Sequence, residues 1–261
     1  LNILLAEDNP INQEVAAGLL ESLDCIVTIV ENGQEAVEAT GDRAFDLVLM
    51  DCQMPVMDGF EATSTIRKML SGGERLPIIA LTANDLEDAK TACLAAGMDD
   101  FLSKPFTRQE LQALLTRWQP SALPSPRAEP EPKAAPAFAA ETEASSLDLA
   151  PIDTLRALDP NGERNIVQRA VTKFADYSDE LLARLANAIG EGNIEEVSRL
   201  AHSLKSSSAN LGATDLSRQC TELEKLTGTG GLPCDIGQRL TTMQATQQAA
   251  KQALFQLVDA G

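Results

Sequence analysis

Between Pro120 and Ser146 the chain reads PSALPSPRAEPEPKAAPAFAAETEASS. This stretch constrains the fold more than any other. Proline removes backbone donors and alanine has little to bury, so neither a strand nor a helix period survives in it. It divides the 261 residues into a first unit over 1–119, a linker over 120–147 and a second unit over 148–261. As a flexible coil the linker spans roughly 30 Å, and as extended polyproline about 80 Å. Either length lets the flanking units touch or separate.

The two units differ in pattern. Before the linker, the short apolar runs NILLA, CIVTIV, FDLVLM, PIIALT and DDFLS alternate with helical patterns near Val15–Leu23, Gln34–Thr40, Phe60–Met69, Leu86–Ala96 and Gln109–Arg117. Such alternation predicts an α/β fold, an open five-stranded parallel sheet with helices on both faces. After the linker no strand pattern remains. Apolar residues recur at helical spacing over Leu155–Leu158, Ile166–Phe174, Leu181–Ile189, Ile194–Leu211, Leu216–Leu226 and Leu240–Leu257. DPNG, GEGN and GTGGLP punctuate them, which predicts an all-α helical bundle.

Charge and composition remove several function classes. A formal net charge of -18 repels nucleic-acid phosphates, and aromatics at 3% leave few platforms for stacking bases. Cys25, Cys52, Cys93, Cys220 and Cys234 are odd in number and form no ligand spacing, so they read as free thiols in a reducing cytoplasm. No run is long and apolar enough to span a bilayer, and no membrane contact is expected of this chain. It opens at Leu1, at the edge of a strand and without an initiator methionine, and so reads as a piece of a longer protein.

The strands of the first unit end in polar residues: Glu7 and Asp8 after the first, Asp51 at the third, Thr82 at the fourth, and Lys104 after the fifth. Open parallel sheets bind ligands at the carboxyl ends of their strands. Any one of these acids alone reads as a helix cap. Together they repel, and a divalent cation relieves that repulsion. Few protein ligands and retained waters suit Mg2+. A cation beside a carboxylate, with an ammonium and a hydroxyl, suits a phosphoryl group attacked in line by Asp51.

The segments LLAEDNPINQ, LVLMDCQMPVMDGFEAT, PIIALTAN and GMDDFLSKPF resemble, in order, the motifs of the receiver domain of two-component signalling. That resemblance implies a flavodoxin-like fold with Asp51 as phosphoacceptor. It makes Glu7, Asp8, Asp51 and the Gln53 backbone carbonyl the magnesium ligands, Thr82 and Phe101 the switch residues, and Lys104 the phosphate-contacting cation. It also implies a cis bond at Lys104-Pro105. EDNPINQ with MDCQMPVMDG is similar to receivers attached to hybrid histidine kinases.

The only histidine, His202, stands in RLAHSLKSSSANLG. On a helix over Ile194–Leu211 it falls one residue off the apolar stripe of Ile194, Val197, Ala201, Leu204 and Leu211. It shares its face with Ser198, Arg199, Lys205 and Ser206, so it should be partly wet, with a cation one turn away. An imidazole is a largely neutral nucleophile near pH 7. No second ligand stands at i+3 or i+4 to make it a metal site. AHSLKSSSANLGA resembles the signature of the histidine-containing phosphotransfer (HPt) domain. His202 thereby inherits the phosphorylatable role and Lys205 that of the neighbouring cation. Gly212 would let another segment pass closely, and Ser206 stands where glycine is common.

The two resemblances imply a phosphorelay: Asp51 takes a phosphoryl group from a kinase histidine, and His202 relays it to a downstream response regulator. Partners are then a histidine kinase core, upstream in the same chain or in trans, and a downstream receiver. Receiver and HPt must also dock, within a chain or between chains. The alternatives are a regulatory module that gates a kinase by docking without relay, and a free-standing phosphatase or hydrolase, which lacks a second base near Asp51. The chain has no glycine-rich nucleotide loop, so it is a carrier, with a hybrid sensor kinase as the expected parent.

Overall fold

A computed structural model describes residues 1–70, 75–82, 87–118, 147–159, 165–228 and 231–259. Residues 120–146 of the Pro/Ala-rich linker, Leu86 and the turn signals at Pro160–Gly162 and Thr229–Gly230 lie outside those residues, whereas Leu147, at the end of the expected linker, packs into the core of the second unit. Strands β1 (Asn2–Ala6), β2 (Ile26–Val30), β3 (Leu47–Asp51), β4 (Ile78–Thr82) and β5 (Asp100–Ser103) form one sheet in the order β2-β1-β3-β4-β5. Every pairing is parallel, with Ala6 level with Met50 and Asp51 level with Leu81. The carboxyl ends of β1 and β3 therefore finish side by side where the strand order reverses.

Alternating side chains along each strand feed two cores. Ile3, Leu5, Leu49 and Leu81 pack with α1 (Pro10–Glu21) and α5 (Arg108–Arg117) through Leu19, Leu20, Leu111 and Leu115. Leu4, Val48, Met50 and Ala80 pack with α2 (Gly33–Asp42), α3 (Gly59–Met69) and α4 (Glu87–Ala96) through Val37, Ala62, Ile66 and Cys93. Gly59 lets α3 start against the sheet: a Cβ there would lie 2.0 Å from the Asp51 carbonyl oxygen.

Helix α1 begins five residues before the expected Val15, because Asn9 caps it and Pro10 opens it. The Asn9 Oδ1 accepts from the backbone N–H of Ile11 at 3.0 Å, and proline at the first helical position wastes no donor.

The second unit is α6 (Ala150–Leu158), α7 (Ile166–Glu191), α8 (Ile194–Asn210), α9 (Thr214–Thr227) and α10 (Ile236–Asp259), with no strand among the described residues. Its core joins Phe174, Leu181, Leu185, Val197, Leu204, Leu216, Leu223 and Leu254. The two helices expected over Ile166–Phe174 and Leu181–Ile189 are one helix, α7. Ser178, a polar residue on the apolar stripe, hides the continuity. It is fully buried and accepts from Gln247 of α10 at 2.8 Å. At Gly212, φ is +72° and a Cβ would lie 1.8 Å from the Asp148 carbonyl oxygen, so the chain passes as closely as that glycine suggested.

The two units touch through α1. Its Ala16, Leu19 and Leu20 face the sheet, while fully buried Ile11 belongs to the core of the bundle. Asn9 Nδ2 donates to the Ser203 carbonyl at 3.0 Å and to Ser207 Oγ at 2.6 Å. Asn210 Nδ2 donates to Asn12 Oδ1 at 2.7 Å. Glu14 pairs with Arg169 at 2.9 Å and Lys173 at 2.6 Å. The linker's reach permits this contact, and the sequence pattern does not announce it.

Candidate functional site

The acidic rim assembles at the ends of β1 and β3. Carboxylate oxygens of Glu7, Asp8 and Asp51 lie within 4.8 Å of one another. Lys104 Nζ, 7% exposed at its side chain, donates to Asp51 Oδ2 at 2.7 Å and Glu7 Oε2 at 2.6 Å. The Lys104-Pro105 bond is cis. Burial pushes the Glu7 carboxyl well above its ordinary range; Lys104 opposes the rise, and the charges of Asp51 and Asp8 add to it. Burial and then the charge of Asp51 push Asp8 up to about 6. One ammonium among three carboxylates, two buried and Asp8 partly so, leaves this cluster short of positive charge, and oxygen donors of this kind fit a hard divalent cation.

Thr82 and Gln53 border the same opening as Asp51, and the Gln53 backbone N–H donates to Asp51 Oδ1 at 3.3 Å. Phe101 stands apart: it is half-buried on β5, packed against the core beneath α3 and α4.

His202 lies midway along α8, its side chain 21% exposed, in keeping with a position off the apolar stripe. Its Nδ1 is 2.6 Å from Glu224 Oε1, and Lys205 Nζ is 2.5 Å from Glu224 Oε2. Burial raises the Glu224 carboxyl, but the bonds and charges of His202 and Lys205 outweigh that and hold it below its usual range. An ionised carboxylate only accepts, so Nδ1 carries a hydrogen, and in the neutral ring Nε2 is then the nitrogen with the lone pair. Lys205 is thus one turn from His202 as expected, but bound to Glu224. Arg199 turns to Glu196, which it grips at 2.8 and 2.7 Å.

The sequence pattern does not single out Glu224. It sits 22 residues from His202, on the next helix, beside Leu223 of the apolar stripe. Only the packing of α8 on α9 shows that it reaches the imidazole. The Ser206–Ser208 run is buried, and its small side chains leave room for Asn9 of the other unit.

Docking through α1 brings Asp51 and His202 to one cleft. Asp51, Gln53 and Thr82 line one wall, and His202, Lys205 and Glu224 the other, around a volume of about 410 Å³. Among the described residues, no helix is long and apolar enough to cross a membrane.

Residues 3–116 match the family model of the response regulator receiver domain, and residues 169–258 that of the Hpt domain. The chain is 43% identical over 118 residues to hybrid signal transduction histidine kinase A of Dictyostelium discoideum, a match covering 44% of this chain and 6% of that protein. It is 43% identical over 129 residues to sensor protein GacS of Pseudomonas syringae pv. syringae, covering 49% of this chain and 14% of that protein. This chain thus spans a small fraction of the curated relatives it matches. Among solved structures, it is 51% identical to the receiver domain of a sensor histidine kinase from Pseudomonas aeruginosa PAO1, crystallised with magnesium in the active-site cleft. That match covers 45% of this chain and 95% of that one, with a TM-score of 0.42. A co-crystal of the Saccharomyces cerevisiae histidine phosphotransfer protein Ypd1 with the receiver of Ssk1 is 32% identical, covering 46% and 88% of the respective chains, with a TM-score of 0.44.

Proposed function

The chain carries a response regulator receiver domain over 3–116 and an Hpt domain over 169–258, and from that premise we propose that it is a two-station phosphorelay module. Asp51 accepts a phosphoryl group from the histidine of a kinase core. His202 takes it from Asp51 and delivers it to the receiver of a downstream response regulator. What carries this reading is that Asp51 and His202 line one cleft across the docked interface.

Transfer between the stations breaks the Asp51 O–P bond and forms a bond from phosphorus to His202 Nε2. The aspartate leaves as a carboxylate, and the ring, still holding its Nδ1 proton, becomes a cation. Glu224 orients that ring through Nδ1 and offsets the cation as it forms. Lys104 holds Asp51 from the receiver side and is placed to meet the oxygens of the group on it. Thr82 borders the group as a hydroxyl donor, and Phe101, farther off, is the residue whose packing would report phosphorylation. Glu7, Asp8 and Asp51, with the Gln53 carbonyl, would hold Mg2+. When bound, that ion offsets charge on the phosphoryl oxygens.

The test is label transfer from a cognate kinase. Wild-type chain should gain label first on Asp51 and then on His202. Asp51→Asn should gain none on His202, and His202→Gln should stop with label on Asp51. Label reaching His202 as fast in Asp51→Asn as in wild type would overturn the order of stations.

A further inference from the structure

Among the described residues, neutral hydrogen bonds and charged interactions both join the two units, and Asp8 of the first attracts Arg199 of the second across the seam. Asn9 and Asn12 make neutral hydrogen bonds to α8. Glu14 instead places a charge between two cations of α7. Its Oε1 lies 2.9 Å from Arg169 and its Oε2 2.6 Å from Lys173, residues one turn apart on the same ridge. The burial is lopsided. The Glu14 side chain is 8% exposed, while Arg169 and Lys173 keep 56% and 42% of theirs in contact with water. The cations lose little when unpaired. A carboxylate pressed into this seam without them, or a cation pressed against them, bears most of the penalty.

Glu14 is also tied rigidly to the chemistry. It stands five residues into α1 from the Asn9 cap, about 7 Å along the axis. The same helix starts directly after the acid pair at Glu7 and Asp8. A charge match on α7 therefore fixes the register in which an acidic rim meets His202.

The geometry points to Arg169 and Lys173 as a recognition site for a carboxylate on the first helix of any receiver that exchanges phosphate with His202. The chain's own receiver fills that site with Glu14. A downstream receiver that carries Asp or Glu seven residues after the first of its paired acids, as Glu14 follows Glu7, fits the same site. One with Lys or Arg there is excluded by charge. The inference rests on the relay proposed above and adds the feature that selects its partner.

Transfer in trans between two full-length chains tests it, because the high local concentration within one chain masks a weakened contact. The donor is His202→Gln, labelled on Asp51 with acetyl phosphate and magnesium. The acceptor is Asp51→Asn, whose His202 receives the label. Rates are normalised to the label each donor carries, and circular dichroism checks that each variant is folded. Donors bearing Glu14→Arg should transfer at least 10-fold more slowly to an acceptor with Arg169 and Lys173. The same donors should regain the matched rate, within threefold, on an acceptor bearing Arg169→Glu and Lys173→Glu. The Glu14 donor should fail on that reversed acceptor. Four pairings within twofold of one another, or a Glu14→Arg donor equally slow on both acceptors, would overturn the inference. No label on His202 in the pair with unaltered charges would overturn the relay reading instead.

Discussion

At the scale of single residues, the site is built from charges that hold one another. Glu224 shows what this arrangement does. Its carboxyl lies below the ordinary 4.5 in the folded chain. The stability it contributes is therefore present above 4.5 and is lost as pH falls through the lower folded value. Glu224→Gln should be less stable than wild type at neutral pH, and urea midpoints of the two should converge well below pH 4.5. If Glu224 acts on His202 as a positioning residue, the same variant should slow transfer to His202 by roughly 10-fold. Nitrogen-15 NMR should show the Nδ1–H tautomer losing population, a change that loss of stability alone would not produce. Val56, in the loop between β3 and α3, is the opposite kind of residue. It has φ of +68° and is 84% exposed, so a β-branched side chain is strained there with nothing to pack on. Val56→Gly should raise unfolding free energy by about 1 kcal/mol, read as a higher urea midpoint.

At the scale of elements, the sheet is legible because each strand is a short apolar run closed by a polar residue; β1, β3 and β4 are buried on both faces, while the edge strand β2 leaves Ile26 and Ile29 exposed. The acids at Glu7, Asp8 and Asp51 follow from that topology, since parallel strands finish on one rim. The helices are less evenly legible. The apolar period finds α8 and the offset of His202 from its stripe, but it misses the first turn of α1, whose start is set by the Asn9-Pro10 cap. It also splits α7 at Ser178, where a buried hydroxyl bonded to Gln247 takes an apolar position. Glu224 was illegible for a different reason: a residue's place on its own helix does not say which neighbour it meets. Element packing also yields a prediction at Gly59. A methyl group there meets the Asp51 carbonyl at 2.0 Å, and backbone cannot yield as a flexible side chain can. Gly59→Ala should cost about 2 kcal/mol or more by displacing α3. Asp51 labelling by acetyl phosphate should fall with it.

At the scale of the whole molecule, composition and linker predict two domains but not their meeting. The contact surface on α1 mixes Ile11, buried in the bundle core, with Asn9, Asn12 and Glu14, whose side chains bond to the bundle. In sequence these look like cap and surface residues of one helix. In the proposed relay a downstream receiver would compete with the chain's own receiver for His202, so release of α1 would have to precede the second transfer. In the proposed relay the docked halves pass one phosphoryl group between Asp51 and His202 inside a single chain. The most direct measurement is a single-turnover time course after loading Asp51, following label from the base-labile acyl phosphate to the base-stable phosphohistidine over a wide range of protein concentration. Transfer between docked halves should run at a rate independent of concentration; a phosphohistidine that never forms, or one that forms in proportion to concentration, would rule out relay within one chain.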